Sequence, residues 1–538
     1  MNPGRRGWWQ RLLRLALGSA LLLEGLYLVG ANTVLNAGGL AKAFGSTNAV
    51  NVTFERAWSF WPGTVHVRGV RVVFQDANLQ WALDMQRAVV LVRLPALASR
   101  TFRATSVRGE GTVFRMRHRV APEAAGHPSL KALAPLPEFP GPPLFEAGPP
   151  EPPIAEVDYN LWTIEIEDVD VQIAELWVQQ FRYLGKARAQ GAFRLRPARE
   201  VWVHPASLEL ASGSVRVGSE ELVGSLRGSI ACRVHPFDVR KPTGTEALRH
   251  VSAVLRLHGR AVQPEALQLL FAPGEGPRVE AHGGELKVDL SIRHGRLLSP
   301  SRAELRMTQV TLRESYGSAL LSPVVVVAQA RPSGEAEVTL DVGSGALNRP
   351  QALGRALQLG GVRGSLRSEQ LDLTAAWALR DATLEIGSLR APDLTWFNSR
   401  SQPTLWRFDA GSATLGGSAR FADGKLNAWT QTRLDGLRIS NDDLQAELAG
   451  ALRVELSEVR LDERSGSARL ELASEATQLS SKTLEVASGG VTLKARAHAI
   501  GGIADGQVEL QVAKLRSRVQ STSMQSALEL KLEVTQAN

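Results

Sequence analysis

The sequence predicts a mainly β protein: a long, twisted, one-sided antiparallel sheet curled into an elongated groove, with one N-terminal transmembrane helix. Three observations predict it. From Leu12 to Val29 the chain is apolar apart from a few positions such as Arg14 and Glu24. Beyond about Val50 it alternates apolar and polar residues, as in Leu286-Lys287-Val288-Asp289-Leu290-Ser291-Ile292 and Leu528-Glu529-Leu530-Lys531-Leu532-Glu533-Val534. Period-two alternation marks a strand with one dry and one wet face. The body offers only three short helical stretches, Pro95–Ser99, Pro264–Phe271 and Pro350–Leu357, which are too few to cover such a face.

The first element is the apolar segment. Arg5, Arg6 and Arg11 precede it, with Trp8 and Trp9 among them. Cationic flanks stay cytoplasmic and tryptophan favours the interface, so the body is expected outside. A helix from about Leu12 to Leu35 is long enough to span ~30 Å at ~1.5 Å per residue. Val29-Gly30-Ala31 is also a small-residue cleavage site, so a removed signal peptide is the rival to an uncleaved anchor. Glu24 lies near the helix centre with Ala20 one turn earlier. A carboxylate at that depth marks a partner helix, with Ala20 allowing close approach, or else it simply snorkels.

The anchor and exit segment cover residues 1–47, and a first β block covers 48–120. Within it Trp61-Pro62-Gly63 forms a tight turn, followed by Val65, Val67, Val70 and Val72 on one face. Residues 121–156 form a proline-rich loop or linker: eleven of the 27 prolines fall in 121–153. Such a stretch cannot join a sheet ladder. The β body occupies 157–538. In it Ile164 and Ile166 share a face, and the register shifts at Asp168 before Val169, Val171 and Ile173. Glu165, Glu167, Asp168 and Asp170 read as a solvated strand face, because a calcium site needs its ligands on a loop. Asp423-Gly424, Asp505-Gly506 and His294-Gly295 are expected hairpin turns.

Charge is uneven along the chain. The formal total is +8, yet residues 87–119 alone carry eight arginines against Glu110. A nucleic-acid binder needs a basic stripe along its working surface, so nucleic acid is not an expected partner. The basic block, with Arg115, Arg117 and Arg119 alternating on one strand, suits anionic lipid headgroups beside the anchor. Cys232 is the only cysteine, which leaves no internal disulfide and no cysteine-based metal site. No phosphate loop, dinucleotide fingerprint, nucleophile elbow or helical histidine pair is present. No catalytic residue, metal or cofactor is expected, and the chain does not read as an enzyme.

Function then turns on what covers the dry face. A second sheet would make a scaffold whose sheets pack on each other and bind protein. A sheet curled on itself, or lined by ligand, makes a gutter for acyl chains. Trp61-Pro62-Gly63-Thr64-Val65-His66-Val67-Arg68-Gly69-Val70, shortly after an anchor, resembles the first strands of AsmA-like proteins. Gly283-Gly284-Glu285-Leu286-Lys287-Val288-Asp289-Leu290 with His294-Gly295-Arg296-Leu297, and Phe421-Ala422-Asp423-Gly424-Lys425-Leu426, resemble their repeated hairpins. The proline loop departs from their usual pattern. With its TamB-type relatives, that family implies an inner-membrane anchor, a periplasmic β-taco groove and a role in moving phospholipid across the envelope. Some 20–24 strands at ~4.8 Å give a groove of about 100–115 Å. Completing a bridge would then need a second envelope protein or further copies. The expected acyl-chain lining is Ile164, Ile166, Leu286, Val288, Leu290, Ile292, Val338, Leu340, Leu528, Leu530 and Leu532, from their period-two placement.

Overall fold

The computed structural model describes residues 4–37, 50–75, 79–120, 126–144, 162–196, 200–237, 244–270, 278–314, 317–350, 352, 355–369, 379–398, 406–460, 462–463, 465–481, 484–500, 503–519 and 522–537. Helix α1 (Gly4–Asn36) is, among them, the one helix long and apolar enough to cross a membrane, over Leu12–Asn36. Membrane anchors and signal sequences share that length and composition.

The sheet begins with β1 (Val50–Thr53) and β2 (Arg56–Trp61), which lie end to end on one edge of β3 (Thr64–Gln75). Next come β4 (Leu79–Val92), the single turn α2 (Leu94–Leu97) and β5 (Thr101–His118). β6 (Thr163–Val178) pairs with β5 in parallel; every other pairing among the described strands is antiparallel. β7 (Phe181–Arg196), β8 (Glu200–Val217), β9 (Glu220–Phe237), β10 (Val251–Val262), β11 (Arg278–Arg293) and β12 (Arg296–Glu314) continue the meander. So do β13 (Gly317–Ala330), β14 (Ala336–Asn348), β15 (Leu357–Ser368), β16 (Leu379–Ala391) and β17 (Arg407–Ala422). β18 (Lys425–Ser440), β19 (Leu444–Arg460) and β20 (Ser465–Ser481) lead to β21 (Leu484–Ser488) and β22 (Gly490–Ile500), which again lie end to end. β23 (Ile503–Val519) and β24 (Thr522–Ala537) close the sheet. Two end-to-end pairs mean that 24 strands occupy 22 rows, about 100 Å at ~4.8 Å per row.

One face stays apolar throughout. Pairing partners share a face, so a row can be followed from strand to strand. Ala57, Val67, Ala88, Gly109, Val171, Ala189, Leu208, Ile230, Leu255 and Leu290 form such a row from β2 to β11. Four residues back along β11, Leu286 starts a second row. It runs through Leu305, Val326, Leu340, Gly364, Leu384, Ala419, Ala428, Leu456, Ala468 and Ala497 to Gly506 on β23. The opposite face carries ion pairs. Asp170 receives both Arg188 nitrogens at 2.6–2.7 Å, and the hydrogen bonding and charge of Arg188 hold its carboxyl below the usual carboxylate range. Burial pushes Glu337 up, but Arg331 at 2.6 Å, Gln329 and Arg367 outweigh it and hold the group low.

The sheet bends along a seam. On β11 the inward positions pass from odd numbers (Val279, Ala281) to even ones (Gly284, Leu286, Val288), with Gly283 between them at φ +67°. Gly283 on β11 and Thr308 on β12 are skipped together, between His282↔Gln309 and Gly284↔Met307, so the register is kept while the inward parity changes on both strands. Bulges align across neighbouring strands near Thr308, Ser322, Ser344, Gly360 and Ser388. A bulge leaves backbone groups without ladder partners, and hydroxyls satisfy them here. Thr308 Oγ1 lies 2.7 Å from the His282 carbonyl and 2.9 Å from that of Gly283. The Ser322 hydroxyl donates to the Thr308 carbonyl at 2.7 Å, Ser344 to that of Ser322 at 2.9 Å, and Ser388 to that of Gly360 at 3.3 Å.

The proline-rich segment packs on the sheet. A 3₁₀ turn at Pro128–Ala132 meets the strand ends at Val217, beside the 3₁₀ turn Pro264–Leu270. Leu136 and Phe139 then lie on Val73 and Ala82, on the outer face. Its Ala134 N–H donates to the Gln179 carbonyl at 3.1 Å and its Pro143 carbonyl accepts the Val120 N–H at 2.7 Å, and β6 starts beside the start of β5. The segment thus joins two parts of one sheet.

Two expected features differ. Asp505-Gly506 lies inside β23, opposite His498 and Ala497, and Ile500 pairs with Ile503. Leu357 opens β15, while residues 351, 353 and 354 of the expected helix lie outside the described residues.

Thr308→Val strips two bulge carbonyls of their hydroxyl and is expected to cost about 1–2 kcal/mol. Gly283→Ala forces an L residue to φ +67° with its Cβ 2.5 Å from Thr308 Oγ1, and is expected to cost at least as much. Thermal midpoints in mild detergent measure both. Unchanged midpoints would show that the seam does not hold the sheet.

Candidate ligand-binding groove

The inner face is filled at one end of the sheet and open further along. Between β4 and β10, Met85, Val171, Ile173, Tyr183, Leu210, Val223, Leu226 and Val262 form one buried cluster. Tyr183 reaches the Ser212 carbonyl at 3.0 Å and that of Lys186 at 3.1 Å, and burial pushes its phenol up. Cys232 lies on the same face, between Ala206 and Ala253, and burial raises its thiol. A second cluster straddles the seam at Ala281, Met307, Val310, Val324 and Val342. A third closes one set of strand ends, where the 3₁₀ turn Leu394–Phe397 packs Leu394 and Trp396 onto Leu357, Ala391 and Phe408.

On the other side of the seam the wall is bare. Leu340 is 37% exposed, Leu366 50%, Leu384 44% and Phe421 37%. With Val338, Gly364, Ala382, Ala419 and Leu426 they line a hollow of about 390 Å³. Glycine and alanine alternate there with leucine, so the wall has recesses that its own side chains do not fill. A second packed sheet would bury these leucines. Among the described strands, the extensive backbone contacts run between hydrogen-bonded neighbours.

The expected lining residues whose side chains are described fall on this face. Ile164 and Ile166 oppose Leu195 and Phe193. Leu286 and Val288 oppose Leu305 and Ala303, Leu290 opposes Leu255, and Ile292 opposes Leu297. Val338 and Leu340 belong to the hollow. Leu528 and Leu530 pair with Val512 and Leu510, and both are more than two-fifths exposed. Leu532 pairs with Val508, but its side chain lies outside the described residues. Leu366, Leu384, Phe421 and Leu426 also line the hollow and are not among the expected lining residues. Small neighbours such as Gly364 and Ala382 interrupt the leucine alternation that would have marked them.

The arginines have other roles. Arg117 is buried: its Nε donates to Gln80 at 2.9 Å and a terminal nitrogen to the Phe139 carbonyl at 2.6 Å. Arg119, also buried, donates to the Leu144 carbonyl at 2.9 Å. Arg115 pairs with Glu175 at 3.2 Å. All three hold protein groups, two of them in the proline-rich segment. They sit at the end of β5 remote from α2. In α1, Ala20 is exposed and Glu24 is half-buried, one turn before Tyr27 and Leu28. That places Glu24 on the helix face that meets β2. The acidic set of β6 is paired with Arg103, Arg108, Arg188 and Arg194. No metal-binding cluster occurs among the described residues.

Comparison with protein-family models, curated proteins and solved structures finds no match to this chain.

Leu366→Asp and Ile173→Asp separate the two regions. Ile173 is 8% exposed, so its replacement buries a charge and is expected to cost about 3 kcal/mol or more. Leu366 is half solvated, so its replacement should leave the thermal midpoint nearly unchanged. Equal losses would mean that the wall around Leu366 is covered in solution.

Proposed function

We propose that this chain is an inner-membrane-anchored, single-pass envelope protein with a cytoplasmic N-terminus and a periplasmic body. Its groove binds the acyl chains of phospholipid and helps move them between membranes. The observation that carries this reading is the bare apolar wall opposite the seam, in a face that stays apolar over 22 rows. A hollow of about 390 Å³ lies within the ~300–1,000 Å³ of ligand clefts. It is lined by carbon with almost no polar group to orient a ligand, which suits a methylene chain that slides. The unbroken row from Leu286 to Gly506 offers a chain equivalent surroundings at every step. The resemblance to AsmA-like and TamB-type proteins points the same way.

A retained anchor is favoured over a removed signal by what α1 touches. The Tyr27 hydroxyl lies 2.6 Å from Ser59 Oγ and donates to the Trp61 carbonyl at 3.1 Å, and cleavage after Ala31 would delete both contacts. A sheet of about 100 Å also leaves room for a second envelope protein, or further copies, to complete a path.

The test is native mass spectrometry of the full chain purified in mild detergent, beside Leu384→Glu. Phospholipid should co-purify with the parent and be lost from the variant, with equal thermal midpoints. A parent carrying no lipid, or a variant that keeps it, would refute the reading.

A further inference from the structure

We propose that the β2–β3 and β4–β5 tips are immersed in the outer leaflet of the bilayer that α1 spans, so that the first rows of the sheet rise directly out of lipid. This rests on reading α1 as a retained anchor.

Two side-chain amides dock α1 on β2. Asn32 gives its amide N–H to the Ser59 carbonyl at 3.0 Å and accepts the Ser59 N–H at 2.9 Å. One turn later Asn36 donates to the Ala57 carbonyl at 2.8 Å and faces the Ala57 N–H at 3.4 Å. Four helical residues rise ~6 Å and two strand residues ~6.6 Å, so the two side-chain amides replace the peptides of a missing neighbour strand. Helix and strand are therefore fixed in level, running in opposite senses: Asn36 at Ala57, Asn32 at Ser59, Tyr27 at Trp61.

That level decides where the tips lie. The apolar residues before Tyr27, Leu12 to Leu26, rise only about 22 Å, short of the ~30 Å hydrocarbon core. A span of about 20 residues from Leu12 ends at Ala31, next to Asn32 and thus level with Ser59. Phe60 and Trp61 then lie on the lipid side of that boundary. Their side chains fit the placement independently: Phe60 is 57% exposed and Trp61 69%. The neighbouring tip is tied on by the Val92 N–H, which donates to the Gly63 carbonyl at 2.6 Å, and it presents Leu91 and Leu94 at 42% and 43% exposure. Arg93, exposed between them, suits a phosphate at the headgroup level.

The test uses the full chain with Cys232→Ala, in vesicles of phosphatidylethanolamine and phosphatidylglycerol. Nitroxide labels are placed singly at Trp61→Cys, Phe60→Cys and Leu94→Cys. Leu22→Cys reports on the anchor, and Phe181→Cys on the opposite strand ends. The ratio of oxygen to nickel-chelate accessibility at 60, 61 and 94 should be several-fold above that at 181 and approach that at 22. If 22 is immersed while 60, 61 and 94 match 181, the proposal falls and the anchor stands. If 22 is also water-exposed, both fall. Tip labels that are shielded from oxygen and nickel alike would mean that protein, not lipid, covers the tips, and would likewise overturn it.

Discussion

A sheet with one apolar face can be long only if every strand keeps its register, because a one-residue slip turns its apolar set to the other side. The rest of this structure depends on that constraint. The bulges look like departures from it but preserve it. At Gly283, as at Gly69 and Gly111 with φ of +62° and +63°, both paired strands skip the same number of residues, so the register is kept while the apolar positions change parity. Where bulges stand side by side from β11 to β16, the sheet creases, and Thr308, Ser322, Ser344 and Ser388 bond the carbonyls released along the crease.

The crease gives the groove two unlike walls. One is closed at its strand ends by helical turns such as Leu394–Phe397. The other is left to Leu340, Leu366, Leu384 and Phe421, whose recesses are set by glycine and alanine. Nearer α1 the same face is filled by larger side chains, Met85 and Tyr183 among them, and by the strand-end cap at Ala132 and Ala266. One repeated pattern thus yields a packed core at one end and an open trough further along. The residue sizes at equivalent positions decide which.

Much of this was legible in the sequence. Alternation announced the strands, the shift at Asp168 announced a real bulge between Ile166 and Val169, and Asp423-Gly424 and His294-Gly295 are turns with positive φ at both residues. What stayed hidden was hidden for physical reasons. Asp505-Gly506 has turn chemistry, but pairing with Ala497 and His498 absorbed it into β23. Gly213 and Gly228 sit in strand interiors at register shifts, where a Cβ would strike the neighbouring backbone. Alternating arginines at 115, 117 and 119 look alike on a strand, and only the fold shows that they grip Glu175, Phe139 and Leu144. Asn32 and Asn36 resemble ordinary helix-end polar residues, since the peptide edge they complete lies more than 20 positions away.

If acyl chains occupy the bare wall, a photoreactive side chain placed on it must capture them. The most direct measurement is photocrosslinking in intact cells, with benzoylphenylalanine replacing Leu366 on the inner face or Arg363 on the outer face. Mass spectrometry of the purified adducts reads the outcome. Phospholipid adducts are expected at 366 and none at 363. Protein adducts at 366, or lipid captured equally at both positions, would contradict it.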